Sequence, residues 1–351
     1  MNNQGGLGNG RMSLSDIIGI LGLIPDYLQL VLTGITALAA IIMLWTTFFS
    51  CTITQFDWAH RRCWTDPPPE SSKPIEPTIN LIMPALPSGL NWILFTSEHE
   101  GRHLLSMLDI VSNAPIMRID LSQDVYDPVW APNRTAFAFS SGHDIYILSN
   151  LTGPPKLRRI TIGFSQATHP TWSPDGTRIA FEATHDDEDG SAIFVVDLIS
   201  GQIEQITHDH ADNRAPSWSP DGRQIAFVSH RDALDHIFVI GPDGEHEQEL
   251  IVNQANNDYP AWSPDGSQIA FASTDHTGNK DIFLIKRDGS DLCRLTKDPA
   301  NDYAPAWSPD GTYIVFETFR AGNLELYRMR TDGSEQTNLT QNPEPDHTPD
   351  W

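Results

Sequence analysis

Six tryptophans constrain this chain more than any other feature: Trp130, Trp172, Trp218, Trp262, Trp307 and Trp351 recur at intervals of 42, 46, 44, 45 and 44 residues, each two residues after a proline. A fixed period of this length marks a stacked or radial repeat rather than an ordinary mixed domain. Four copies continue as WSPDGTRIAF, WSPDGRQIAF, WSPDGSQIAF and WSPDGTYIVF. In each, Pro presets φ for the first corner of a turn, Asp accepts backbone hydrogen bonds and Gly takes the left-handed position that returns the chain. The motif therefore reads as a tight β-hairpin. Its return strand (179–181, 225–227, 269–271, 314–316) is apolar on both faces, as expected of a strand sandwiched between sheets.

A third strand follows at 193–196, 237–240, 282–285 and 326–329. An Asp-Gly turn (Asp243-Gly244, Asp288-Gly289, Asp332-Gly333) then leads to a fourth, closing in Leu-Thr or Ile-Thr at Thr207, Thr296 and Thr340. Four short strands per repeat make the blade of a propeller, not the helix-bearing unit of a solenoid. Residues 90–121 hold a second, third and fourth strand with no first, and 349–351 hold a first strand with nothing after it. Pairing the two removes both exposed edges and predicts an all-β, six-bladed propeller; a seventh repeat cut short is the alternative. The copy WAPNRTAFAF carries Asn133 and Arg134 where the others have Asp and Gly, which predicts a looser turn.

The 351 residues are 39% hydrophobic, enough for a sizeable core. Lys and Arg number 22 against 46 Asp and Glu, a net charge of −24. The excess lies in the repeats, where residues 89–351 carry 18 basic and 40 acidic groups. That balance argues against nucleic acid, which is held by neutralising phosphates. Cys51, Cys63 and Cys293 are too scattered for a disulfide framework or a zinc site, and Cys293, in an alternating apolar stretch, is expected to be a buried small hydrophobe.

Ahead of the repeats, residues 27–49 run 23 positions without a charge, about 35 Å as a helix. This predicts a single transmembrane helix, uncleaved because no small-residue cleavage site follows. Residues 1–26 form a short segment with a possible interfacial helix at 13–24. Residues 50–88 form a juxtamembrane, Pro-rich spacer, and 89–351 the propeller. Arg11 before the span and Arg61 and Arg62 after it lean towards a cytoplasmic propeller.

The repeat PxWSPDGxxIAF with its closing Leu-Thr resembles that of TolB-like propellers over residues 90–351. The resemblance implies an extracytoplasmic domain that works by binding proteins, against the charge reading of orientation. The family's N-terminal α/β domain has no counterpart here. The serine-hydrolase domain that accompanies similar propellers in prolyl-oligopeptidase-like enzymes, with its Gly-x-Ser-x-Gly elbow, is also missing from this sequence.

Strand order puts the loops entering each first strand, and those between second and third strands, on one face. Candidate ligand-binding residues at this mouth are Asp124, Tyr126, His169, Arg214, Asp258, Asp302, Tyr303, Asp346 and His347. One reading is a calcium site built from a ring of carboxylates; the plainer one is that Asp and Asn cap turns that recur because the unit recurs. The acidic loop 185–190 reads as a solvated tip. No catalytic residues are assigned. The expected function is a membrane-anchored binding module for a protein or peptide, without a required cofactor; the alternative is a hydrolase or lyase with a divalent metal in the central channel.

Overall fold

The Ser-Pro-Asp-Gly turn builds the same hairpin each time it occurs. Gly176, Gly222, Gly266 and Gly311 sit at φ of 69–71°, and each donates its N–H to the turn serine's carbonyl at 2.9 Å. The serine hydroxyl donates to the turn aspartate at 2.6–2.7 Å and accepts the N–H of the residue five positions on, at the entry to the return strand. In the degenerate copy Arg134 takes the left-handed position at φ 58° and still reaches the Ala131 carbonyl at 2.8 Å. Asn133 replaces the aspartate as acceptor for Thr135. The expected looser turn is corrected: its shape is kept, and what it loses is the bracing hydroxyl, because Ala131 stands where the serine would be.

The computed structural model describes residues 91–351, apart from 112–115, 152, 185–189, 252–253 and 275–277, together with the short strands Phe56–Asp57 and Arg62–Cys63. Residues 1–75 and 76–351 are separate units. In the first, Phe56–Asp57 pairs antiparallel with Arg62–Cys63. The interfacial segment, the membrane span at 27–49 and the Pro-rich stretch, like the acidic loop at 185–189, lie outside the described residues. No helix among those described is long and apolar enough to cross a membrane.

The second unit is six four-stranded antiparallel sheets, and no helix occurs among its described residues. Blades 2 to 6 begin with the strands Tyr126–Trp130, Gln166–Trp172, Asp212–Trp218, Asn257–Trp262 and Asp302–Trp307. Blade 1 consists of Trp92–His99, Arg102–Asp109 and Met117–Ile119, and its innermost strand is Asp346–Asp350 from the far end of the chain. The closure expected from the two mismatched ends is therefore the one formed, and the ring has six blades.

The core lies within and between blades. The second-strand phenylalanines Phe139, Phe181, Phe227, Phe271 and Phe316 are wholly buried and face an aromatic ring directly across on the third strand, at centroid distances of 5.8–6.1 Å. The thin residue beside each phenylalanine makes room for the next blade: Ala180 packs in the cluster of Trp218, Ala226 in that of Trp262 and Ala270 in that of Trp307. The closing threonine has a stated task as well. Thr161, Thr207, Thr296 and Thr340 accept the N–H of Ile145, Ile193, Ile282 and Leu326 at 2.8–3.1 Å, latching the fourth strand to the third. Cys293 corrects the expectation of burial: it is exposed on the short outermost strand of blade 5, where only one side of the strand packs.

Candidate functional site

Every innermost strand is broken at the residue before its proline. Asp127, His169, Ala215, Tyr259, Ala304 and Thr348 all have left-handed φ of 44–51°, and the ladder to the second strand slips there in all six blades. A non-glycine residue held so costs about 1–2 kcal/mol, and repetition in every blade makes it a property of the fold rather than of one side chain. These six residues and the prolines that follow line an axial cavity of about 160 Å³.

One side of this cavity is charged. His169 Nδ1 lies 3.3 Å from Glu182 Oε1, and its Nε2 lies 3.6 Å from Asp127 Oδ1. Burial works against the imidazolium, but the Asp127 and Glu182 carboxylates outweigh it and raise His169 to about 10. Burial also opposes the Glu182 charge; the imidazolium, the Ala215 N–H at 2.7 Å and the Thr168 hydroxyl at 2.8 Å hold its carboxyl at about 2. Tyr259, its ring 6.1 Å from that of His169, is raised above the ordinary phenol value by burial and by the surrounding carboxylates. The upward shift of His169 and the downward shift of Glu182 favour an imidazolium paired with the Glu182 carboxylate at neutral pH.

One residue earlier in each strand lies the ring that meets the mouth: Tyr126, Thr168, Arg214, Asp258, Tyr303 and His347. Tyr126 is 39% exposed, and its hydroxyl is 3.3 Å from His103, whose ring stands 6.2 Å from that of His347. Burial lowers and Glu317, at 3.7 Å, raises the His347 imidazole, with a net upward shift. Arg214 is paired with Asp235 at 2.8 Å and stands 3.8 Å from Asp258. Asp258 also holds Lys280 at 3.1 Å, and Lys280 lies over the Tyr303 ring at 5.3 Å. Tyr126, Arg214, Asp258, Tyr303 and His347 are thus brought to one rim, and His169 lies just below it.

Asp302 and Asp346 are placed otherwise. They sit one further residue back, at the position also occupied by Asn213 and Asn257, and all four are wholly buried. Asp302 is bound by Arg320 at 2.6 Å, Asp346 accepts from the Asn342 amide at 2.8 Å, and Asn213 donates to Asp209 and to the Ala211 carbonyl. They tie the incoming loops to the blade, in keeping with the turn-capping reading, and do not face the channel mouth. Asp124 is exposed and accepts the His103 N–H at 2.9 Å, outside the ring. Glu182 was not among the sequence candidates. Its signal was legible: it is a carboxylate where the equivalent positions of blades 4 and 5 hold Val228 and Ala272.

Among the described residues no three His, Cys, Asp or Glu side chains gather so as to hold a metal ion. The kinked ring contributes one carboxylate, Asp127, and the next ring contributes Asp258, already engaged by two cations. Neither ring therefore supplies by itself the several carboxylates of the calcium reading.

Six four-stranded blades, a strand from the far end of the chain closing the first, and variable loops gathered on one face define the class: a six-bladed β-propeller. A family model of the TolB β-propeller domain matches residues 185–277 and 249–351. TolB from Acinetobacter baumannii is similar in structure at 22% identity and a TM-score of 0.64, over 74% of this chain and 66% of that one, so the chain spans just under two thirds of its length. A putative TolB from Agrobacterium tumefaciens is 25% identical with a TM-score of 0.61, over 70% and 88% of the two chains. An oligogalacturonate lyase in complex with manganese shares the fold at 16% identity and a TM-score of 0.53, over 72% and 75%. No curated protein sequence matches the chain. The domain is a TolB-like propeller.

Proposed function

We propose that this chain is a membrane-held binding module that recognises a protein or peptide through the loop-rich mouth of its propeller, without catalysis. The observation that carries this reading is the rim: on a scaffold repeated six times, one and the same strand position bears Tyr126, Thr168, Arg214, Asp258, Tyr303 and His347. Variable side chains on a rigid frame are the usual form of a recognition surface, and tyrosine and arginine are prominent among residues that dominate protein interfaces. The charge-free run at 27–49 supports attachment to a membrane, and the likeness to TolB favours an extracytoplasmic propeller.

Panning a peptide-display library on the full chain in detergent tests the surface. Related sequences should emerge, and their affinity should fall about tenfold or more, ~1.4 kcal/mol, with Tyr126→Ala or Tyr303→Ala, but not with Ile199→Ser on an exposed turn of the opposite face. Binders indifferent to the rim, or none at all, would overturn the reading. Protease added to intact cells should cut the propeller if it is extracytoplasmic and spare it if it is not.

A further inference from the structure

The opposite end of the channel is a second cavity, of about 360 Å³, walled by all six repeat tryptophans, by the prolines of five hairpin turns, and by Arg134 and Asp350. Its size is at the lower end of the range for small-molecule sites. Arg134 is the departure from the repeat noted above: the four intact hairpins place a glycine there, whereas blade 2 sends a guanidinium to the axis. That guanidinium lies 5.2 Å from the centre of the Trp130 ring, and its Nη1 is shut off from water with no hydrogen-bond partner.

Arg134 is the one cationic residue among those that line this cavity. The indole N–H groups of Trp130, Trp172, Trp218 and Trp262 are buried within the wall, without an acceptor and without surface open to the cavity. The acceptor at hand, the Asp350 carboxyl, already takes the Trp130 backbone N–H at 2.7 Å, and burial shifts it towards its neutral form against the pull of Arg134. A carboxylate is an acceptor-only group that a planar guanidinium can bind through two parallel hydrogen bonds. A phosphate dianion would need more positive charge than one arginine offers. The aromatic and proline walls suit a flat apolar body behind the carboxylate.

We infer that the tryptophan-walled end of the channel binds a small monocarboxylate with a flat apolar body, its carboxylate on Arg134. The test is calorimetric titration of the full chain in detergent with benzoate, phenylacetate and indole-3-acetate, each against its primary amide, and with inorganic phosphate. At least one acid should bind saturably and its amide about 10- to 100-fold more weakly, the range of a charged hydrogen bond. Arg134→Gly restores the residue that the repeat uses at this φ, so it keeps the fold. It should abolish binding of the acid while leaving the melting temperature within a few degrees of the parent. Equal binding of acid and amide, binding that survives Arg134→Gly, preference for phosphate, or no binding by any of the three acids would each overturn the assignment.

Discussion

At the residue scale, the Asp127–His169–Glu182 row makes the clearest claim on stability. The His169 contribution is complete below the imidazole's ordinary 6.5 and is lost as pH rises through about 10. The Glu182 contribution is complete above 4.5 and is lost as pH falls through about 2. Urea unfolding across pH should therefore show stability declining from 6.5 towards 10, and His169→Gln should remove this part of the alkaline decline. His169→Ala removes the partner of a half-buried carboxylate and should cost about 1–3 kcal/mol at neutral pH. A wild-type-like pH profile in His169→Gln would show that the row is not coupled to folding. Of this row His169 was legible in sequence as a mouth residue, but its pairing was not: Asp127 comes from the neighbouring innermost strand and Glu182 from the second strand of its own blade, and only the kink turns the three together.

At the scale of the element, glycines in the same left-handed region differ in what surrounds them. A Cβ on Gly289, at φ 82°, would lie 2.8 Å from the Leu250 carbonyl of the preceding blade, whereas one on Gly176, at φ 70°, would meet nothing closer than Pro132 Cδ at 4.0 Å. Gly176→Ala should cost about 1–2 kcal/mol for the left-handed conformation alone. Gly289→Ala should cost clearly more, because two blades must move apart, and thermal melts of the two variants would rank them. In the degenerate hairpin, Ala131→Ser should return the missing brace and add about 1 kcal/mol. Most of each blade was legible in sequence, because turn chemistry and the apolar second strand are local signals. The inward turn of Asp302 and Asp346 was not: simple alternation along a strand cannot anticipate a kink that resets which side chains face the axis, and the residue before each proline varies too much to announce it. Recurrence of Asn213, Asn257, Asp302 and Asp346 at one position was the available hint of a structural role.

At the scale of the whole molecule, closure depends on contacts across most of the sequence. Asp346 pairs with Ser97 and Asp350 with Leu94, Trp351 packs with Ile93, Phe95 and Val315, and Asp350 holds Trp130 of blade 2. Deleting 346–351 should uncover this cluster and the edge of Trp92–His99, seen as dye binding to exposed apolar surface and as loss of a single cooperative unfolding transition. An unchanged, sharp transition would mean that the other five blades hold the ring by themselves. The six left-handed kinks have a consequence of another kind. Because each accepts Asp, His, Ala, Tyr or Thr on the same backbone, descendants of this chain can exchange axial side chains one blade at a time, so that duplication supplies a uniform architecture and point mutation alone can diversify its interior.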